Sequence, residues 1–302
     1  MGDLSAPAEG RTRSGFIALA GRPNVGKSTL ANAIVGAKVA IVSDKPQTTR
    51  RAIRGIASSE DWQLVLVDLP GVQRPRDALT ERMQRRVERE LKDADGCLLV
   101  LNAEEGVGRG DRFIAHLLST APVPVVIAVN KVDRAGRGAV AAALQSAADL
   151  GVAEEVFPVS AREGSGVRPL TKHLVSLLPE GPFYFGRGQR SDLSPELRVA
   201  ELIREEVLRR TREEVPHSVE VQVESIEPGR ETIRVEAVIL VETESQKGIL
   251  IGAGGRMIKS IGTAARRAIE EELSRRLHLA LSVRVRRHWR ADERVLDRLG
   301  IE

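Results

Sequence analysis

From Ser14 onward, short apolar runs alternate with segments in which apolar residues recur every three or four positions. Gly15–Ala20, Trp62–Val67, Cys97–Leu101, Val123–Val129 and Glu155–Val159 read as strands. Their apolar runs lack polar alternation, the mark of strands covered on both faces. Ser28–Val35, Ala78–Leu91, Gly110–Leu118, Gly138–Leu150 and Val167–Leu178 read as amphipathic helices. Strand followed by helix, repeated, predicts an α/β domain with a mostly parallel sheet and helices on both faces. The pattern breaks at Pro179-Glu180-Gly181-Pro182, and residues 182–193, rich in Gly, Arg and Ser, read as a linker. Ser194-Pro195 then starts a helix, with Ser as N-cap and Pro at the first position. Val219, Val221 and Val223 alternate with polar residues, as do Ile233, Val235, Ala237, Ile239 and Val241, and Pro228-Gly229 turns between them. Two helices separated by Gly252–Gly255 and a strand at Ala280–Arg286 complete an α-β-β-α-α-β order, an α+β second domain. The expected organisation is a polar, disordered tail over 1–13, a first domain over 14–181, a linker over 182–193 and a second domain over 194–302.

Composition narrows the setting. The 302 residues are 42% hydrophobic and 29% charged, as in soluble globular proteins, but only 3% aromatic, so aliphatic side chains must fill the cores. Apolar runs reach about five residues, far short of the roughly 20 that a membrane-spanning helix needs. Cys97 is the one cysteine, which excludes an internal disulfide and a cysteine-based metal cluster and favours a reducing compartment. The N-terminus shows no apolar signal core, and Ala6 stands where a myristoylation motif requires Ser or Thr. A cytoplasmic protein is expected. The net charge is +4, yet Ser245 to Arg290 holds 11 Lys/Arg against 3 Asp/Glu, so this stretch is +8 and the remainder −4. A basic C-terminal region on an otherwise acidic chain points to an acidic partner there, nucleic acid above all.

The chemistry-bearing motifs lie at the ends of the predicted strands. Gly21-Arg22-Pro23-Asn24-Val25-Gly26-Lys27-Ser28 satisfies G-x-x-x-x-G-K-[ST] between a strand and a helix. Its glycines let backbone N–H groups curl around phosphate oxygens, with the dipole of the helix that continues through Thr29 behind them. Lys27 is placed to reach β- and γ-phosphates, and the Ser28 hydroxyl to ligate Mg²⁺. Asn130-Lys131-Val132-Asp133 follows a buried strand. An Asp there accepts from guanine N1–H and N2–H₂, whereas adenine offers neither donor and would leave the carboxylate unpaired. Asp68-Leu69-Pro70-Gly71 ends another strand; its Asp suits Mg²⁺ held through water, and the Gly71 N–H suits the γ-phosphate. Ser160-Ala161 is placed to offer the Ala161 N–H to guanine O6. In Lys45-Pro46-Gln47-Thr48-Thr49-Arg50, one of two threonines is expected to complete the Mg²⁺ shell.

These elements in this order resemble a small GTPase domain, in which the segments after the phosphate loop and after Gly71 act as switches. G-R-P-N-V-G-K-S-T-L, P-Q-T-T-R, D-L-P-G-V and N-K-V-D resemble the bacterial translation-factor-related GTPases. In the second domain, Ile251-Gly252-Ala253-Gly254-Gly255 carries a G-x-x-G turn between helices, as in a type II KH domain, where glycines let backbone meet RNA phosphates. Arg256 and Lys259 flank it. A GTPase domain followed directly by one KH domain resembles the Era family of bacterial GTPases, and G-x-x-G-x-x-I-K-x-I-G and A-D-E-R-x-L extend the resemblance to about Leu299. The resemblance implies a Mg²⁺-dependent GTPase, cycling between GTP and GDP, monomeric, whose partners are the 3′ end of small-subunit ribosomal RNA and the small ribosomal subunit. It selects Thr49 over Thr48 as metal ligand, so Lys27, Thr49 and Gly71 are the expected groups around the γ-phosphate. Asn24 matches an Asn that holds K⁺ in similar potassium-stimulated GTPases. Val72 stands where many small GTPases place a water-orienting Gln, so no general base is assigned. Some family members occur at the membrane surface; no amphipathic anchor stands out here, and peripheral contact with the inner face of the cell membrane is left open.

Two alternatives accompany this reading: an RNA-binding assembly factor in which GTP is mainly structural, and a tRNA-modification GTPase. The second would need a catalytic partner domain and usually a C-terminal Cys. Trp289, beside Arg287 and Arg290, is read either as a stacking platform for an RNA base or as core. Arg82–Arg89 reads as the solvated face of a helix.

Overall fold

The aliphatic runs form the strands expected of them. In the structure, a computed structural model that describes residues 12–45, 47–72, 77–153 and 155–301, the chain divides into two units. Of the described residues, the first comprises those within 12–39, 52–72 and 88–192; the second comprises those within 40–51, 77–87 and 193–301. The expected tail over 1–13 lies outside the described residues as far as residue 11. Arg13 already pairs as the first strand residue, and the Thr12 hydroxyl donates to Gly181 O at 2.8 Å.

The first unit holds β1 (Arg13–Ala20), α1 (Lys27–Val35), β2 (Ile53–Ser58), β3 (Trp62–Asp68), β4 (Gly96–Asn102), α3 (Arg109–Leu118), β5 (Val125–Asn130), α4 (Arg137–Ala148), β6 (Val156–Pro158) and α5 (Val167–Ser176). The helix α2 (Ala78–Asp93) crosses the division after Val87. The sheet order is β2-β3-β1-β4-β5-β6, parallel except for β2 against β3. All seven residues of β4 are buried, as expected of a central strand covered on both faces. Ile17, Leu19, Leu64, Leu98 and Leu170 share one aliphatic core. Each such side chain, fully buried, contributes about 1.5–3 kcal/mol. Cys97 is part of this interior, and burial pushes its thiol up to about 12, so it is a core residue. β2 is a strand that the apolar pattern did not reveal. Of residues 182–193, read as a linker, 182–192 belong to the first unit: Gln63 donates to Phe185 O at 2.9 Å, and Ile56 N–H donates to Arg190 O at 2.8 Å.

The second unit is built on α6 (Pro195–Arg210), α7 (Val215–Ser218), β7 (Glu220–Glu227), β8 (Thr232–Val241), α8 (Glu244–Ile251), α9 (Arg256–Leu273), β9 (Arg276–Val285) and α10 (Glu293–Arg298). Ser194 caps α6 through Leu197 N–H, and Thr243 with Gln246 forms a capping box on α8. The sheet order is β7-β8-β9, antiparallel then parallel, with helices packed against one aliphatic face through Ile203, Val235, Ile239, Leu250 and Ile261.

This unit also buries charge. Arg50 and Glu220 are both fully enclosed and pair at 2.9 Å. Arg51 pairs with Glu201 at 2.8 Å and Arg204 with Glu201 at 2.7 Å, while Arg204 also donates to Thr48 O. Burial alone would raise the Glu220 carboxyl, but Arg51, Arg204 and Arg50 hold it down to about 2. Burial lowers the Arg50 guanidinium to about 10, against the pull of Glu220. The Arg50 guanidinium lies 5.7 Å from the Trp289 ring centre. Trp289 is fully buried and its indole N–H donates to Ser218 O at 2.9 Å, which removes it as a stacking platform for RNA. Arg82, read as solvated, is paired with Asp297 at 2.7 Å and with Glu293. Among the described residues, no helix is long and apolar enough to cross a membrane.

Candidate nucleotide site and nucleic-acid interface

β1 delivers the chain into residues 21–26, and α1 begins at Lys27. Gly26 caps α1 at φ 100° with no side-chain cap, so the positive end of the helix dipole points along the loop. A Cβ on Gly26 would lie 2.3 Å from Asn130 Nδ2, and one on Gly21 2.6 Å from Val100 O. Both motif glycines are therefore required by their neighbours. Lys27 is 7% exposed, and its ammonium donates to Gly21 O at 3.0 Å and Arg22 O at 3.1 Å. Burial pushes Lys27 down to about 8, with the Asp68 charge pulling the other way. A phosphate entering the loop adds negative charge that favours the ammonium form further. The Ser28 hydroxyl donates to Asp68 Oδ2 at 2.6 Å, so two oxygens suited to a hard cation sit side by side.

The other loops close on the same place. Pro23 lies against Gly71, where a Cβ would come 2.9 Å from the Pro23 nitrogen. Leu69 is buried, and so is Val72, whose isopropyl group has no means of orienting water. Asn130 works in two directions: its Nδ2 donates to Val25 O at 2.9 Å, and its Oδ1 accepts from Ala161 N–H at 3.0 Å. One amide thus links the phosphate loop to the Ser160-Ala161 turn. Lys131, at φ 65°, donates to Asn24 O at 2.6 Å, which lays its stem along the edge of the loop. Asp133 sits exposed in the turn Val132–Arg134, open to a ligand. The predicted residues at 21–29, 68–71, 130–133 and 160–161 all belong to the first unit. Thr49 belongs to the second unit, where it is buried between Thr48 and Arg50 of the charged cluster. Of the expected switches, Pro46 and 73–76 lie outside the described residues.

In the second unit, α8 ends on Gly252 at φ 69°, followed by Gly254 at φ 60° and Gly255 at φ 77°. Gly252 is sterically fixed, because a Cβ would lie 2.8 Å from that of Met257; Gly254 and Gly255 face open space. Gly255 caps α9 in the left-handed conformation without a side-chain cap, as Gly26 caps α1. Arg256 folds its guanidinium back to Ala253 O at 3.2 Å. Behind the turn, a cleft of about 360 Å³ opens between α9 and β9, lined by Ile258, Lys259, Gly262, Arg266, Leu279 and Leu281. Of these, sequence reasoning named Lys259 as a site residue and covered Ile258 and Gly262 only within the G-x-x-G-x-x-I-K-x-I-G match; the leucine alternation along β9 was the signal for the far wall. An apolar floor rimmed by cations takes bases inside and phosphates at the edge.

Comparison with known proteins follows the same division. Residues 16–131 match the family model described as 50S ribosome-binding GTPase, and residues 214–290 match the KH domain model. The chain is 46% identical over 294 residues to GTPase Era of Mycobacterium tuberculosis, covering 95% of this chain and 98% of that protein. It is 44% identical over 290 residues to GTPase Era of Caldanaerobacter subterraneus subsp. tengcongensis, covering 95% and 97%. Two crystal structures superpose with a TM-score of 0.92 at 33% identity, over 96% of this chain and 99% of each. One is Era in complex with MgGDPNP and nucleotides 1506–1542 of 16S ribosomal RNA; the other is an Aquifex aeolicus Era variant bound to GDP·AlF4−.

Proposed function

The chain belongs to the Era family of GTPases, and from that premise we propose a GTP-driven switch that binds small-subunit ribosomal RNA near its 3′ end and assists small-subunit assembly. It is a GTPase with a KH RNA-binding module. The observation that carries the reading is that two helices of one chain, α1 and α9, open on left-handed glycines without side-chain caps, the first joined through Asn130 to the Ser160-Ala161 turn.

In this reading, residues 21–29 cradle the phosphates, with Arg22, Pro23 and Val25 giving backbone and shape, and Lys27 on the β- and γ-phosphates. Asp133 reads guanine N1–H and N2–H₂, Lys131 covers the base, and the Ala161 N–H, held by Asn130, meets O6. The donor set fits magnesium: Ser28 directly, Asp68 through water, and Thr49 when its segment is engaged. Magnesium, when bound, neutralises charge on the β- and γ-phosphates. Asn24 is our candidate for holding potassium beside the phosphates. Water attacks the γ-phosphorus in line as the bond to the β–γ bridging oxygen breaks. Lys27 and the N–H groups of the loop and of Gly71 stabilise the charge that develops. With Val72 unable to orient water, unassisted turnover is on the order of 10⁻⁴ to 10⁻² s⁻¹. Residues 251–256 and Lys259 hold the RNA backbone. We place the protein in the cytoplasm as a monomer; peripheral contact with the membrane is an outcome that cell fractionation decides.

One experiment tests the whole. Asp133→Asn converts the base reader from guanine to xanthine, whose C2 carbonyl accepts from an amide. Protein crosslinked to total RNA is mapped by sequencing, with hydrolysis followed with and without small subunits. Wild type is expected to map to the 3′ end of small-subunit RNA with GTP, the variant with xanthosine triphosphate, and small subunits to accelerate turnover. Crosslinks indifferent to nucleotide in both proteins would overturn the switch.

A further inference from the structure

Arg22, the second residue of the phosphate loop, carries a cation into a site that must gather negative charge. Its side chain is turned away from that task. Nε donates to Asp111 Oδ1 at 2.8 Å, and Nη1 pairs with Glu105 Oε2 at 3.1 Å. Asp111 is fully buried on the first turn of α3, where its second oxygen accepts Gly108 N–H at 2.8 Å and so caps the helix. Glu105 is itself fixed by Asn102, whose Nδ2 donates to Glu105 Oε1 at 2.6 Å. The stem of Arg22 lies flat on Gly110, where a Cβ would come 2.7 Å from Arg22 Cδ. Two carboxylates and a glycine thus define one pose for this guanidinium. The hydrogen bond from Arg22 to Asp111 raises the guanidinium above its usual value, against partial burial.

The partners of Arg22 share one loop, which follows β4 and leads into α3. That loop also touches the base-reading turn. Ala103 N–H donates to Asn130 O at 2.8 Å, and Arg134 donates to Glu104 Oε1 at 3.2 Å. Neighbouring acidic residues therefore hold the phosphate loop on one side and the base-reading turn on the other. Arg22 O also accepts from Lys27 Nζ, so the position of residue 22 is transmitted to the lysine that meets phosphate.

We propose that Asp111, assisted by Glu105, is a positioning residue that acts through Arg22 to hold the phosphate loop in its nucleotide-binding shape. The proposal rests on the nucleotide site as read above. Arg22 is in this view a brace and not a source of transition-state charge. A loop preset by a buried ion pair loses less freedom when nucleotide binds, so the clamp acts on nucleotide retention more than on the chemical step.

The test is a double-mutant cycle on the full chain with Asp111→Asn, Arg22→Met and the double variant. Dissociation of a fluorescent GDP, KM and kcat for GTP, and thermal stability are read for each. Asn keeps an oxygen for Gly108 N–H but turns an amide NH₂ toward Arg22; Met keeps the stem over Gly110. Asp111→Asn is expected to speed GDP dissociation and raise KM about tenfold, with kcat within about twofold of wild type. Arg22→Met should reproduce the faster dissociation, and the double variant should add nothing to it. If Asp111→Asn does not fold, Glu105→Gln, at a half-exposed partner, should speed dissociation about threefold and again have no effect on Arg22→Met. Unchanged GDP dissociation in the folded single variants, or full additivity in the double, would overturn the clamp. Lys27→Ala in the same assay separates this from the site itself: loss of nucleotide there with no effect at Asp111 rejects the clamp alone. Retention of nucleotide by Lys27→Ala rejects the site.

Discussion

Asn24 stands in the left-handed region at φ 64°, where asparagine is tolerated better than most residues with a side chain. Its carbonyl accepts from Lys131 at 2.6 Å, so the backbone at this position already has a structural task. The side-chain amide is a separate matter, and it is what the potassium assignment uses. Replacing Asn24 by Ala would change both, because Ala resists the left-handed conformation. Asn24→Gly removes the amide and keeps the backbone cheap. Initial hydrolysis rates in KCl and NaCl at equal ionic strength then give a ratio within each protein, free of differences in folding or loading. We expect wild type to be faster in KCl by about tenfold, within the range that placing one positive charge can yield, and Asn24→Gly to show a ratio near one. Equal wild-type rates in the two salts would remove potassium from this site.

At the scale of elements, β7 shows how a correct pattern can mislead about one residue. The alternation of Val219, Val221 and Val223 assigns Glu220 to the outer, polar side, yet Glu220 is 0% exposed. Arg50, Arg51 and Arg204 converge on it from the segment 40–51 and from α6. A buried pair broken on one side costs about 3–5 kcal/mol, because the remaining charge loses its partner. Glu220→Gln should therefore destabilise the second unit at pH 7 by an amount of that order. The pH dependence has a definite sign. The folded carboxyl is held at about 2, below its ordinary 4.5, so its contribution is complete above about pH 4.5 and fades as pH falls toward 2. Denaturation curves at pH 7, 4 and 2.5 should bring wild type and variant together in acid; a constant gap would exclude Glu220 as the titrating group. Strands covered on both faces, such as β4, declare themselves by their own composition. β2 does not, because Arg54 and Gly55 interrupt six residues that become a strand only by pairing Ile56 with Val65. The glycine turns at Gly26 and Gly252 and the turn after β5 were legible as structure because their spacing is local. The bridge made by Asn130, the clamp at Asp111 and the leucine wall of β9 depend on partners that are distant in sequence.

For the molecule as a whole, one physical device is used twice at different depths. α1 and α9 are both capped by a left-handed glycine with no side-chain acceptor. In the first unit the accompanying cation, Lys27, is buried, and the loop is closed by Asn130 and Gly71. In the proposed reading a single nucleotide occupies this place, its phosphates against the buried lysine. In the second unit Arg256 and Lys259 lie open beside the turn, with Arg266 along the cleft. That arrangement suits a polymer, whose phosphates are met by exposed cations at the price of counterion release. With about four such cations engaged on a single strand, affinity should fall with a logarithmic slope near −3, about fiftyfold between 50 and 200 mM salt. Nucleotide affinity should change far less over the same range. A variant separates the two sites further. Gly252 is a poor choice, because a Cβ would collide with Met257 and damage the turn itself. Gly254 is at φ 60° with open space around it, a conformation that Asp tolerates. Gly254→Asp should place a carboxylate against the RNA backbone and weaken binding at least tenfold, about 1.4 kcal/mol. Thermal stability and GDP affinity should stay close to wild type. Filter binding of a single-stranded RNA from the 3′ end of the small-subunit RNA, across the salt series, reads both effects. RNA affinity that Gly254→Asp leaves intact, in a protein that still melts like wild type, would mean that the RNA does not lie against this turn.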